Sequence, residues 1–359
     1  MAKLSEAMSA MRKLHGEGVA IKGSEKPQQE YIPTGIFLLD FATLGGIPRH
    51  QATEIYGWEG AGKSWLLLRM LGMAQRLFPE ETAVLIDLER VYDPVWGEAQ
   101  GIDNEKLMLI RPPNGEAACD IIDALVESDD VSLIGLDSLP NLIPKGVDER
   151  SVADVQPAAE ARLIGRFLSK INNTYGKAAI SNTKAPALIV INQWRMKIGV
   201  MHGDPRTRPG GMRVRYAVAL SLEIMKKEVE GRDSLDHSTV SHNEHSFKIT
   251  KVRGNSIKSG EFVVHRNPDG AFPVGFVDDG RSVVTFLKDF GYLTGAAGAY
   301  KVEGINEEVI DRSTGVVSSA PKRFRKYDDL VVWFYENPEV FEAQKQKLIS
   351  AQRHRLGLE

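Results

Sequence analysis

Gly57-Trp58-Glu59-Gly60-Ala61-Gly62-Lys63-Ser64 is the stretch that decides the fold. It fits G-x-x-x-x-G-K-[ST], a loop whose glycines let backbone N–H groups converge on phosphate oxygens. Ala52–Tyr56 before it predicts a strand, and Lys63–Phe78 after it predicts a helix whose N-terminus favours the same anion. All eight positions, with Trp65 next in line, are candidate contacts to a nucleoside triphosphate, read as ATP. Lys63 suits the β- and γ-phosphates, and the Ser64 hydroxyl suits Mg2+. The plain alternative is a glycine-rich turn, but four fixed positions match by chance in a chain of this length on the order of 1% of the time.

Outward from that loop, strand and helix patterns alternate. Thr82–Leu88, Leu107–Ile110, Val131–Leu136 and Ala187–Ile191 read as strands. Segments near 93–101 and 115–127, and Ala158–Thr174, read as helices. The Val131 run is apolar almost throughout, as in a strand covered on both faces of a parallel sheet. Further strands are expected near 218–226, 246–252 and 260–265. The fold class is therefore α/β, with a largely parallel central sheet and crossover helices. Asp137 ends the Val131 strand, where a partner for a magnesium-bound water belongs; the bland reading is a turn or cap residue. Glu89, just past the Thr82 strand, is a candidate base for the water that attacks the γ-phosphate; the bland reading is a surface glutamate beside Arg90.

The flanks differ from this core. Residues 2–14 predict a helix with Leu4, Met8, Met11 and Leu14 along one face, a stripe that a short helix cannot bury alone. Residues 23–32 read as a linker, and 32–47 as loop and helix ending in Gly45-Gly46. Pro268-Asp269-Gly270 closes the core. The expected divisions are 1–31 (a helix that packs on this protomer or on a neighbour, and a linker), 32–272 (nucleotide-binding core) and 273–359 (small mixed C-terminal domain). The formal net charge is −3, so any nucleic-acid site must be a local patch. One such patch runs from Trp194 to Arg215, with six Lys or Arg against one Asp among glycines and prolines. Arg162, Arg166 and Lys170 fall at i, i+4 and i+8, a second basic stripe on a helix. The single cysteine, Cys119, excludes an internal disulfide framework. No apolar run of membrane-spanning length occurs, and a soluble, cytoplasmic protein is expected.

Longer strings point further. Ile32-Pro33-Thr34-Gly35 with Leu38-Leu39-Asp40, Gly45-Gly46-Ile47-Pro48, Glu54-Ile55-Tyr56-Gly57, Ile86-Asp87-Leu88-Glu89 with Asp93-Pro94, Asp137-Ser138 and Pro144-Lys145 occur in this order. The most specific is Ile191-Asn192-Gln193-Trp194-Arg195-Met196-Lys197-Ile198-Gly199-Val200-Met201, with Gly210-Gly211 after it. In these the chain resembles the RecA family of DNA strand-exchange recombinases, well over roughly residues 32–270 and more faintly beyond, at Gly291-Tyr292-Leu293 and Asn337-Pro338-Glu339. The resemblance implies an oligomerisation helix within 1–31, a RecA-type ATPase core over 32–272, DNA-dependent ATP hydrolysis, and filaments on single-stranded DNA that pair it with homologous duplex. It implies Glu89 as catalytic glutamate, Asp93 and Trp96 as the adenine-holding pair, and Gln193 as γ-phosphate sensor. Lys251 and Arg253 are implied to reach the ATP of an adjacent protomer. Two DNA-binding loops are implied, about 146–157 and 194–211. Arg162, Arg195, Met196, Lys197, Gly210 and Gly211 are then DNA contacts; Arg166 joins them by spacing alone. Lys226, Lys227 and Lys248 are candidates for a secondary DNA site. Single-strand-binding and loader proteins are implied as partners, and a bacterial or phage-infected cytoplasm as the setting.

The chain also departs from the family pattern. Trp65 stands where a small hydroxyl residue is usual, Trp96 where Tyr is usual, and Arg253 where Lys is usual. Residues 176–186 look long for a connection, and the C-terminus from Gln344 is basic rather than acidic. These read as a divergent, phage-type member. A ring-forming helicase or motor with the same core, and a regulatory ATPase scaffold, are the alternative functions. Lys63→Ala should abolish ATP binding, because the phosphates lose their main side-chain cation; equilibrium binding of a fluorescent ATP analogue checks this, and unchanged affinity refutes the loop assignment.

Overall fold

The computed structural model describes residues 2–25, 28–145, 157–181, 183–197, 199, 203–232, 238–252, 257–266, 272–310 and 317–358. Helix α1 (Ala2–His15) comes first. Strands β1 (Tyr31–Ile32) and β2 (Ile47–Pro48) then pair around α2 (Phe37–Thr43). Strand β3 (Ala52–Gly57) feeds α3 (Lys63–Leu77), followed by β4 (Thr82–Asp87), α4 (Pro94–Ala99), β5 (Leu107–Ile110), α5 (Gly115–Val126) and β6 (Val131–Asp137). Next come α6 (Pro157–Ser181), β7 (Ala187–Gln193), the short β8 (Arg195–Met196) and β9 (Arg206–Thr207), and α7 (Gly211–Ala217). Strands β10 (Leu220–Arg232), β11 (Ser238–Lys251) and β12 (Ser259–His265) complete the central sheet. After them stand α8 (Gly280–Asp289), α9 (Tyr327–Glu336) and α10 (Pro338–Arg355), with two small two-stranded ribbons.

The eight-stranded sheet runs β12-β11-β10-β3-β7-β6-β4-β5. From β10 to β5 every pairing is parallel; β11 and β12 add an antiparallel edge. Every residue of β3 and β6 is buried, which is why those strands carry no polar alternation. One face is closed by α3, where Leu66, Leu67, Met70 and Leu71 pack with Ile55, Ile189 and Leu222. The other face is closed by α5 and α6 through Ile122, Phe167, Leu168 and Ile171 against Ile134 and Val190. A third core joins α2 to the C-terminal helices: Phe37 and Phe41 pack with Val283, Leu287, Leu330 and Phe334. Among the described residues no helix is long and apolar enough to cross a membrane.

The α/β class and parallel sheet agree with the sequence pattern, but three expectations need correction. The strands expected near 218–226 and 246–252 are far longer, Leu220–Arg232 and Ser238–Lys251, and form one antiparallel hairpin. Their outer halves are polar on both faces, so no hydrophobic period announced them. Helix α6 continues through Ser181, so most of the supposedly long connection 176–186 is helix. Lys170 does not belong to a free basic stripe: its ammonium lies 3.0 Å from both Asp120 and Asp123 on α5. The Pro268-Asp269-Gly270 turn and most of the loop 146–157 fall outside the described residues.

The join between α2 and the C-terminal segment is ionisable. Asp40 Oδ1 accepts from the Thr34 N–H and hydroxyl, each at 2.7 Å. Asp279 Oδ2 accepts from the Phe37 N–H at 2.9 Å and from Lys345 at 3.1 Å. Burial pushes Asp40 up from 3.8 to about 7; Asp279 pushes the same way, while Thr34 and Lys345 oppose it. The folded value exceeds the unfolded one, so ionising Asp40 costs stability: the cost is absent below the ordinary carboxylate value, grows as pH rises and is complete above about 7. Asp40→Asn keeps an acceptor for Thr34 and removes the charge. Thermal melts should show the variant gaining a few degrees on the wild type between about pH 4 and pH 8; a difference independent of pH refutes the assignment.

Candidate functional site

Strand β3 delivers the loop 57–64 at the carboxyl end of the sheet, between β7 and β10, the position where open α/β sheets place their ligands. Two glycines are required by contact. A Cβ on Gly57 would lie 2.2 Å from the Ile224 carbonyl oxygen, and one on Gly62 would lie 2.7 Å from His245 Cε1. Gly62 also has φ +95° and caps α3, so the first amides of that helix face the loop. Lys63 is buried and its ammonium donates to the Trp58 carbonyl at 2.7 Å, closing the loop on itself. Burial lowers its pKa, while Asp137, Glu89 and Glu59 pull it back up.

Those acids converge from neighbouring strands. Asp87 and Asp137 are register partners at the ends of β4 and β6. Asp137 is buried, hydrogen-bonded to the Ser64 side chain, and pushed up to about 6; burial leads, Glu89 and Asp87 add to it, and Ser64 and Lys63 oppose it. A carboxyl beside a serine hydroxyl is an oxygen donor set that suits a divalent cation. Asp87 accepts from the Val91 and Tyr92 amides at 3.2 and 3.3 Å and lies 3.4 Å from Arg111, which fixes the turn carrying Glu89. Ser138 donates its hydroxyl to Glu89 Oε1 at 2.8 Å. Sequence reasoning gave Ser138 and Asp87 no role, although both stand in strings that carry the family resemblance.

Beside the loop 57–64, a cavity of about 300 Å3 is lined by Gly60, Lys63, Ser64, Trp65, Asn243 and Arg266, among others. The Arg266 guanidinium also lies 5.2 Å from the centroid of the Trp96 ring, so one side chain of the cavity wall touches the expected base-stacking residue. Asp93 caps α4, accepting from the Val95 and Trp96 amides at 2.9 and 3.4 Å. Trp65 is explained by packing: it is buried and stacks on His245 at 5.5 Å and Phe262 at 6.2 Å, beneath the loop. Burial, with Lys226 nearby, holds His245 down to about 4 and hence neutral. Trp58 is exposed.

Gln193 is the last residue of β7 and the register partner of Gly57. The next amide, Trp194 N–H, donates to the Gly57 carbonyl at 3.3 Å. The basic segment thus leaves the sheet beside the first residue of the phosphate loop. Its described part folds as a ribbon in which Arg195 faces Thr207 and Met196 faces Arg206. Arg195, Met196 and Lys197 are exposed, with Arg195 3.9 Å from Glu160. Gly210 and Gly211 turn the chain into α7 with positive φ, and a Cβ on Gly210 would meet Val214 and Ile164. Arg162 and Arg166 are exposed on α6. Lys251 donates to the carbonyls of Arg215 at 2.8 Å, Tyr216 at 3.2 Å and Val218, capping α7. Lys226 and Lys227 pair with Glu228 and Glu244. Arg253 lies outside the described residues.

The family model for the RecA N-terminal domain matches residues 2–259. The chain is 40% identical over 226 residues to Protein RecA of Aquifex aeolicus, covering 62% of this chain and 63% of that one. It is 37% identical over 236 residues to Protein RecA of Thermotoga neapolitana, covering 64% and 65%. To Protein RecA of Thermus aquaticus it is 36% identical over 226 residues, covering 62% and 64%. The matched part therefore spans less than two thirds of these relatives. If Ser138 aims Glu89 at an attacking water, Ser138→Ala should lower kcat for ATP hydrolysis about tenfold or more, with KM within about twofold. An unchanged kcat would remove that contact from the chemistry.

Proposed function

Because the chain belongs to the RecA family, we propose that it is an ATP-dependent DNA recombinase. It assembles on single-stranded DNA, pairs that strand with homologous duplex and exchanges strands, with DNA-dependent hydrolysis of ATP to ADP and phosphate. The observation that carries this reading is the register of Gln193 with Gly57, which roots a six-cation segment on the phosphate loop. An amide at that position senses whether a γ-phosphate is present and passes the difference into the loop.

In this reading Lys63 and the α3 N-terminus bind the triphosphate, Glu89 orients and deprotonates the attacking water, and Trp96 stacks on the base beside Asp93. Magnesium, held by Ser64 and through water by Asp137, would neutralise charge on the phosphates. Lys251 and Arg253 act on the triphosphate of the adjacent protomer. Arg162, Arg166, Arg195, Met196, Lys197, Gly210 and Gly211 face DNA, where phosphate contacts supply affinity and base pairing supplies sequence. Residues 1–31 form the assembly element, 32–272 the ATPase core and 273–359 an accessory domain. The exposed Leu4, Met11 and Leu14 of α1 favour docking on a neighbour.

Electron microscopy of the full chain with single-stranded DNA and a slowly hydrolysed ATP analogue tests the assembly, and a strand-exchange assay tests the activity. Extended helical filaments and joint molecules between homologous DNAs are expected. Closed rings that translocate would sink the reading in favour of a motor.

A further inference from the structure

Strand β3 carries a carboxylate with no solvent contact. Glu54 is fully buried and accepts from Asn192 Nδ2 at 2.9 Å, from the Ser221 hydroxyl at 2.8 Å and from the Arg208 guanidinium at 2.8 Å. The Arg208 side chain is only 14% exposed. Its guanidinium lies 3.7 Å from the centroid of the Tyr56 ring and 5.2 Å from that of Trp194. Trp194 meets the Tyr56 ring edge-on at 5.1 Å and donates its indole N–H to Glu223 at 2.9 Å. Trp194, which opens the basic segment, and Arg208, near the C-terminal end of the loop 194–211, are thus fastened to the strand that ends at Gly57.

The cations of this segment are not equivalent. Arg206 pairs with Asp204 at 2.9 Å and Arg195 lies 3.9 Å from Glu160, with both arginines at least two-fifths exposed. Exposed pairs of this kind are weak, and a nucleic-acid phosphate can replace the carboxylate. Withdrawing Arg208 would instead strand the buried Glu54 charge and uncover the Tyr56 ring, a change a solvated phosphate does not offset. The planar guanidinium is also what allows one residue to pair and stack at once.

We propose that Arg208 is a positioning residue and not a DNA contact: it pins the C-terminal root of the basic loop to Glu54, so that a nucleic-acid strand engaging the loop acts on the phosphate loop through β3. This rests on the reading that the loop binds single-stranded DNA and the phosphate loop binds ATP.

The test uses the full chain with Glu54→Gln and Arg208→Met combined, a neutral pair of similar volume. Anisotropy of labelled oligo-dT across a salt series and ATP turnover with and without oligo-dT are measured. The salt slope should stay at the wild-type value, and the stimulation of turnover by oligo-dT should fall about threefold to thirtyfold. A slope reduced by about one would make Arg208 a phosphate contact and overturn the proposal; so would undiminished stimulation. If the double variant unfolds, Arg208→Lys carries the test. It keeps the charge and loses the planar face, so partial stimulation supports the pin and wild-type stimulation overturns it. A wild-type chain that neither binds oligo-dT nor responds to it would sink the functional reading itself, which separates the two failures.

Discussion

The hydrogen-bond register between β3 and β7 is the constraint on which the site depends. It sets Gly57 opposite Gln193, so the phosphate loop and the basic segment begin at one point of the sheet. Sheet register moves in steps of whole residues, and both strands are buried on both faces. A slip would bury the wrong side chains and separate the two loops at once. Packing that looks purely structural, such as Leu67 of α3 against Gly135 of β6, therefore also fixes a functional distance. The same strand end has to be glycine at position 57 because β10 passes close beside it.

Much of the centre was legible in the sequence because its signals are local. The loop 57–64 is a contiguous string, and β6 is an apolar run that ends in the acid it presents. What escaped depends on contacts between distant residues. Trp65 looks out of place beside the phosphate loop until His245 and Phe262, from the far edge of the sheet, stack on it. The outer half of the β10–β11 hairpin has polar residues on both faces, so its length is set by cross-strand hydrogen bonds rather than by a hydrophobic period. The i, i+4, i+8 spacing of Arg162, Arg166 and Lys170 correctly places them on one helix, but spacing says nothing of partners. Asp120 and Asp123 on α5 claim Lys170, while Arg162 and Arg166 stay exposed. Glu54 gave no functional signal of its own, because a glutamate in a strand is commonplace until its burial and three donors are seen.

Lys251 shows how one side chain can join two events. Its ammonium donates to carbonyls at the end of α7, the helix that follows the basic segment. That end needs acceptors satisfied, since the last carbonyls of a helix have no partners within it. The proposed role of Lys251 toward a neighbouring triphosphate uses the same ammonium. The two engagements exclude each other, so nucleotide at a protomer interface would release the helix beyond the loop. The loop itself stays fastened at its start, where Trp194 bonds Gly57, and toward its end, where Arg208 bonds Glu54.

The exposed stripe on α1 bears on the same coupling. Leu4 is 67% exposed, Met11 52% and Leu14 76%. Fully burying side chains of this size is worth about 1.5–3 kcal/mol each, less the entropy of ordering them. Glu17–Val19 after the helix packs closely on α6, where a Cβ on Gly18 would meet the Ile180 carbonyl oxygen at 2.4 Å. That contact anchors the root of α1 to the helix carrying Arg162 and Arg166 and leaves its apolar face outward. A neighbour covering the face would bury only a few residues, too little for a tight complex by itself. Assembly then needs a second contribution, and a nucleotide shared between protomers or a strand spanning several of them would supply it. In the proposed assembly, a contact this small would leave the join between protomers dependent on the nucleotide and the DNA strand.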